Sequence, residues 1–300
     1  MIKRTLFFSN PAYLSTKNNQ LVISFPDEEK ESKKVPIEDV GMLVLENQQI
    51  TITNGLLSKL INKKAAIITC DTFHLPIGLL QPLVGHSEQT ERIKHQLKAS
   101  IPLKKNLWQQ TISAKITNQG YVLEEQNIPA RKLFKWALEV KSGDTENHES
   151  RAAVYYWKHF FELDNFTRNQ HGNTPNNLLN YGYAILRGIT ARALVSSGML
   201  PSVGIFHKNK YNAYCLADDI MEPYRVYVDV LVNDIVKSVG DVTELTTELK
   251  MEILRLPTMD VYIDGKNSPL AIAMSRTTNS LYQCFSGESR KLVYPFYKLN

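Results

Sequence analysis

Three stretches, far apart along the chain, combine carboxylates or an imidazole with residues that fix the backbone around them. The first is Asn147-His148-Glu149-Ser150-Arg151-Ala152-Ala153-Val154-Tyr155-Tyr156-Trp157. Gly143 and Asp144 lead into it as a flexible approach, and the alanine pair lets a helix there pack closely on a neighbour. Glu149 then falls in the first turn, with Arg151 two positions on. The second is Gly198-Met199-Leu200-Pro201-Ser202-Val203-Gly204-Ile205-Phe206-His207. Gly198 reads as the left-handed stop of a preceding helix, and Pro201 prevents its continuation. Two glycines and a proline in one short loop let the backbone turn sharply or approach something closely, and His207 closes that loop. The third is Leu216-Ala217-Asp218-Asp219-Ile220-Met221-Glu222-Pro223-Tyr224-Arg225. Asp219 and Glu222 are three apart, so on a helix their carboxylates share a face. Pro223 kinks such a helix or limits its start.

Singly, each has an ordinary structural explanation. A histidine after a Gly/Pro loop is commonly a surface or hydrogen-bonded residue. A glutamate near a helix start complements the helix dipole, and an Asp-x-x-Glu pair serves a solvated face or a cap. Together, one imidazole and two or three carboxylates make a mixed nitrogen–oxygen site for Mg²⁺ or Mn²⁺. Histidine is an uncommon Mg²⁺ ligand, which makes manganese a competent substitute.

The elements that must carry these stretches fall into two parts. Ile2–Ser9 is rich in strand-forming residues, and Ala12–Phe25 is broken by Lys17-Asn18-Asn19-Gln20, where paired asparagines tolerate left-handed turn geometry. Leu21, Ile23 and Phe25 then alternate as in a half-buried strand. The charged tract 27–34 reads as a surface loop. Val40–Leu45, Ile50–Ile52 and Ala65–Thr69 read as short strands around one helix that opens at Asn54-Gly55. From Ser87 the period changes to that of helices, with Ile93 and Leu97 four apart, then 107–123 and 131–140. Strand signal returns at Val261-Tyr262-Ile263, ended by Asp264-Gly265. The expected class is therefore α+β: a β-sandwich-like N-terminal domain over 1–85, a linker near Pro82 and Gly85, and a larger all-helical C-terminal domain over 86–300.

Composition narrows the function classes. The 300 residues, 43% hydrophobic, suffice for a substantial core. Net charge is only +5, compatible with a polyanionic partner without requiring one. Residues 87–140 are more basic, with 9 Lys/Arg against 5 Asp/Glu, including Arg131, Lys132 and Lys135 beside Trp136. Cys70, Cys215 and Cys284 are scattered and unpaired, which argues against a zinc site or a disulfide framework. No apolar run reaches the ~20 residues of a membrane span, and the short apolar start does not form a signal peptide. The expectation is a soluble cytoplasmic protein with no membrane partner.

At the three stretches the sequence resembles the CRISPR-associated integrase family, the Cas-one proteins. Glu149-x-x-Ala152-Ala153-x-x-Tyr156-Trp157 looks like the family's first metal-ligand motif, and Pro201-x-x-Gly204-x-x-His207 like its histidine motif. Asp219-Ile220-Met221-Glu222-Pro223-Tyr224-Arg225 looks like its acidic motif, and Pro175–Tyr183 is similar to the start of its central helix. The Lys17–Leu21 hairpin, the Ile67–Asp71 strand end and the Asp-Ile-Met-Glu-Pro form look most like the branch beside the type II, RNA-guided effector.

The resemblance implies a DNA endonuclease and integrase that joins the 3′-hydroxyl ends of short foreign duplexes (prespacers) to a CRISPR repeat by transesterification. It also implies a homodimer, assembly with the small Cas-two protein into a hetero-hexamer, and association with the type II effector and other adaptation proteins. On this reading Glu149, His207 and Glu222 hold Mg²⁺ or Mn²⁺. Asp219 supports them or is itself a ligand, since the sequence does not rank two acids on one face. Arg151, Arg225, Lys208 and Lys210 are candidates for contact with the DNA. Two rival readings are a general metal-dependent nuclease for branched or single-stranded DNA and a non-catalytic DNA-binding scaffold.

Overall fold

The computed structural model describes residues 3–27, 29–163, 166–169, 172, 174–239 and 245–297. Its N-terminal part contains strands β1 (Arg4–Phe8), β2 (Tyr13–Lys17), β3 (Gln20–Ser24), β4 (Lys33–Pro36), β5 (Val40–Leu45) and β6 (Thr51–Ile52). Helix α1 (Asn54–Asn62) and strands β7 (Ala66–Cys70) and β8 (Pro76–Leu80) follow. They form two four-stranded sheets, ordered β1-β5-β7-β8 and β4-β3-β2-β6. The β2–β3 hairpin turns through Asn18 and Asn19, both at positive φ (51° and 57°), the geometry that matches strand twist in a two-residue turn.

Alternation along β5 explains the layering. Leu43 points between the sheets, where it joins Leu14, Leu21, Ile67, Leu56 and Leu60. Met42 and Val44 point the other way, and with Ala66, Ile68 and Cys70 they belong to the core of the helical part. The β1-β5-β7-β8 sheet is thus a middle layer, apolar on both faces. A buried ion pair, Glu46 to Lys250, adds a polar clasp between the strand region and the helices.

The helical part comprises α2 (Gln89–Lys98), α3 (Ile101–Glu125), α4 (Arg131–Glu139), α5 (His148–Phe160), α6 (Asn176–Ser196), α7 (Cys215–Met221), α8 (Arg225–Val239), α9 (Thr247–Ile253) and α10 (Leu270–Ser286). Among the described residues it is not wholly helical. Strands β9 (Asp260–Ile263) and β10 (Lys266–Pro269) form a hairpin at the Val261–Ile263 strand signal, turning through Asp264 and Gly265 at positive φ. Helix α3 is the axis of this part and packs against α4, α5, α8 and the turn after α7. Ser100 accepts the Leu103 N–H at its start, with Pro102 in the first turn. Leu107, Trp108, Ile112, Lys115 and Ile116 recur at helical spacing on its buried face. No helix among the described residues is long and apolar enough to cross a membrane.

Candidate active site

Helix α5 begins with Asn147 in the left-handed region (φ 54°). The Asp144 carboxylate accepts the N–H of His148 (2.9 Å) and of Glu149 (3.0 Å). Two of the donors that a helix start leaves unpaired are thereby satisfied, and the backbone of Glu149 is fixed. Asp144 is a cap, where the sequence suggested only a flexible approach.

The histidine loop is built around Asp219. After Gly198 (φ 75°) ends the helix, the chain runs to His207 and wraps the Asp219 carboxylate, which is wholly buried. Oδ2 accepts the N–H of Ile205 (2.7 Å) and Phe206 (2.9 Å). Oδ1 accepts the N–H of His207 (3.2 Å) and lies 2.5 Å from its Nδ1. Gly204 is required by this close wrap, since a Cβ there would stand 2.4 Å from the His207 carbonyl oxygen and 2.8 Å from Asp219 Oδ2. A carboxylate only accepts, so Nδ1 carries a proton and, in the neutral ring, Nε2 carries the lone pair. The hydrogen bond to Asp219 holds the His207 pKa above its usual 6.5, against the opposing effect of burial. Burial raises the pKa of Asp219, and its N–H donors pull the other way.

Glu222 opens the 3-10 turn Glu222–Tyr224 that joins α7 to α8, with Pro223 at the break. Asn118 of α3 anchors this turn by donating to the Pro223 carbonyl (2.9 Å). Arg225 Nε donates to Glu222 Oε1 at 2.9 Å, and its guanidinium lies over the Tyr183 ring, 4.6 Å from the centroid. Behind that ring, Tyr183 and Tyr156 both donate to Asp229, whose carboxyl burial pushes up to about 7.

The two acids meet on Lys115. Its Nζ lies 2.7 Å from Glu149 Oε1 and 2.7 Å from Glu222 Oε2. Burial opposes charge on both partners, but the pairing wins. Lys115 is held above the ordinary lysine range, and Glu222, flanked by Arg225 and Lys115, is held down at about 2. Trp108, two helical turns before Lys115, packs its indole edge-on to the His207 ring at 5.7 Å. Helix α3 therefore touches all three stretches, and both carboxylates are close enough to act on the His207 charge. Among the described residues no three His, Cys, Asp or Glu side chains stand at metal-holding distance. The ammonium of Lys115 occupies the space between the acids.

The remaining candidates separate by place. Arg225 clamps Glu222 inside the site. Arg151 is exposed and lies over the Trp136 ring, 4.9 Å from its centroid, on the face of α5 turned away from Glu149. Lys208 and Lys210 are exposed just after His207, and Lys210 lies over the Tyr211 ring. Tyr156 is core, and Trp157 packs on Phe160 and Phe161. Lys115, Trp108 and Asn118 were not singled out in the sequence. A basic residue on an otherwise mostly apolar helical stripe is the signal that points to Lys115.

The donor chemistry suits a divalent cation: two carboxylates already gathered on one positive charge, beside an imidazole whose second nitrogen is fixed as a donor of electrons. Comparison with known proteins places the chain in a family. The chain is 36% identical over 282 residues to the CRISPR-associated endonuclease Cas1 of Neisseria meningitidis serogroup C (strain 8013), covering 93% of this chain and 91% of that protein. In fold it is similar to a casposase bound to integration product, with a TM-score of 0.80 at 20% identity over 99% of this chain and 94% of the other. A chain of a Cas6-RT-Cas1–Cas2 complex aligns with a TM-score of 0.76 at 18% identity, over 99% of this chain and 36% of that one. The family model for CRISPR associated protein Cas1 matches residues 6–244, and with that match the chain belongs to the Cas1 family.

Proposed function

We propose that the chain is a metal-dependent DNA integrase of CRISPR adaptation, which joins 3′-hydroxyl ends of short foreign duplexes to a repeat border by transesterification. The observation that carries this reading is the convergence of Glu149 and Glu222 on one buried cation, with His207 within electrostatic reach. Glu149, His207 through Nε2, and Glu222 are the residues that would hold Mg²⁺ or Mn²⁺, and an ion bound there supplies Lewis-acid stabilisation of the reacting phosphate.

The chain's own residues perform the rest. Asp219 keeps the proton on Nδ1 and so presents Nε2 as a lone pair. With all four of its hydrogen bonds directed at the histidine loop, it acts as a support rather than a ligand. Arg225 orients Glu222. Lys208 and Lys210, exposed next to His207, attract the phosphate backbone. Arg151 with Trp136, and Lys132 over the Tyr155 ring, extend that attraction across the outer face of α5. Contacts of this kind make binding steeply salt-dependent and largely indifferent to sequence, which suits an enzyme that stores arbitrary fragments.

The partners on this reading are prespacer and repeat DNA, a second copy of the chain, and the small Cas2 protein in a hetero-hexamer. The type II effector and other adaptation proteins would join in the cytoplasm. The names of the similar structures, a casposase on its integration product and a complex containing Cas1 and Cas2, support the DNA and the small partner.

Hydrolysis is the second reading, favoured by the name endonuclease that the Neisseria relative carries. The test uses a supercoiled plasmid with one repeat, Mn²⁺, and a duplex ending in 3′-hydroxyl or 3′-deoxy. Covalent joining from the hydroxyl duplex alone, lost with chelator and in Glu149→Gln, is expected. Nicking without joining would favour the nuclease, and joining unaffected by Glu149→Gln would remove the site from the chemistry.

A further inference from the structure

A lysine inside a protein is expensive to desolvate and is tolerated where anions surround it. Lys115 is 8% exposed and projects from a helix face otherwise made largely of Leu107, Trp108, Ile112 and Ile116. Its ammonium meets both acids, each at 2.7 Å. The two carboxylate oxygens touching one ammonium are therefore no further apart than twice that distance. A divalent ion drawing oxygens in to about 2.0–2.2 Å would need the same two atoms and the same space.

We infer that Lys115 is the resident cation of the acid pair, holding Glu149 and Glu222 together in the metal-free protein and vacating the position when a divalent ion binds. This rests on the metal-binding reading above and adds that metal affinity is set by competition with an internal lysine. Three features of the molecule permit the exchange. The ammonium sits on a flexible four-carbon stem. The Glu149 side chain is 25% exposed, so the position opens to solvent on its side. Glu222 keeps its bond to Arg225 at Oε1, so the acid stays oriented when Lys115 leaves Oε2.

Two measurements on the full-length protein test the inference. The first is Mn²⁺ affinity, read from the free-ion electron paramagnetic resonance signal, for the wild type, Lys115→Met and Glu149→Gln. Removing the competitor is expected to tighten Mn²⁺ binding in Lys115→Met by at least about tenfold, or about 1.4 kcal/mol, while Glu149→Gln weakens it. The second is lysine acylation followed by mass spectrometry on the wild type, with exposed Lys98 as internal reference. Lys115 should be protected in chelator and become reactive at saturating Mn²⁺. This arm needs no variant, so it stands even if Lys115→Met folds poorly. Affinity in Lys115→Met that is unchanged or weaker, or a Lys115 still protected with Mn²⁺ bound, overturns the inference and leaves the metal reading intact. Failure of wild type and Lys115→Met alike to bind Mn²⁺ overturns both.

Discussion

Asp219→Asn is the most searching perturbation, because the replacement keeps the shape and changes only what each polar atom can do. Asp219 accepts four hydrogen bonds, two at each oxygen, three from consecutive backbone N–H groups and one from the His207 ring. The new amide has one oxygen, which can keep two of these. Its NH₂ then faces donors, leaving the His207 N–H unpaired. Bonds to a charged group contribute about 1.5–3 kcal/mol each, and an orphaned buried donor costs about 1–3 kcal/mol. A net loss of roughly 4 kcal/mol follows, or a fall in Tm of roughly 6 °C for a chain of this size. The same amide donates to Nδ1 and drives the ring proton to Nε2, removing the lone pair a metal needs. Loss of such an orienting partner lowers metal affinity about 10–100-fold. Thermal melting in chelator and Mn²⁺ titration at neutral pH measure the two effects separately. If Asp219 were itself a ligand, Mn²⁺ binding would collapse while melting stayed close to the parent. A variant that melts within a degree or two of the parent and binds Mn²⁺ equally well would refute the reasoning altogether.

His207 has a folded pKa above its ordinary value. In metal-free protein its contribution to stability is therefore complete below an unfolded pKa near 6.5 and fades as pH rises through the folded value. Melting between pH 6 and 9 should show that decline, His207→Gln should lack it, and Mn²⁺ affinity should climb over the same interval as the imidazole is freed. Gly204→Ala places a methyl against the His207 carbonyl and Asp219 Oδ2. It should lose about 1–3 kcal/mol and weaken Mn²⁺ binding, by melting and titration respectively. Lys250→Met leaves Glu46 buried with only the partly exposed His74 ring, 3.8 Å away, as a cationic neighbour, which should lower stability by up to roughly 3–5 kcal/mol in a urea titration. Adding Glu46→Leu should recover most of that loss.

Much of the architecture was legible because its causes are local. Asn18-Asn19 specifies its own hairpin, Gly198 with Pro201 ends its own helix, and Glu149 lies in the first turn of α5 for reasons held within a few residues. Strand β8 was not, because Pro76 and Gly78 suppress its signal while pairing with β7 supplies what propensity lacks. The middle-layer role of the β1-β5-β7-β8 sheet was hidden too. Met42 and Val44 on one face and Leu43 on the other read merely as an apolar run, and only the partner on each side distinguishes the faces.

The candidate site divides along the same line. Its acids and its histidine announce themselves by the turns that carry them, whereas the groups that make them a site act across long separations. Asp219 reaches back to residues 205–207, Asn118 reaches forward to Pro223, and Lys115 spans to Glu149 and Glu222. These groups share one helix or one buried carboxylate, and their identity follows from a charge argument rather than from spacing. Two glutamates brought together in a low-dielectric interior repel unless a cation stands between them. A fold that assembles them must supply that cation from its own sequence. On the buried face of α3 the only residue able to do so is Lys115.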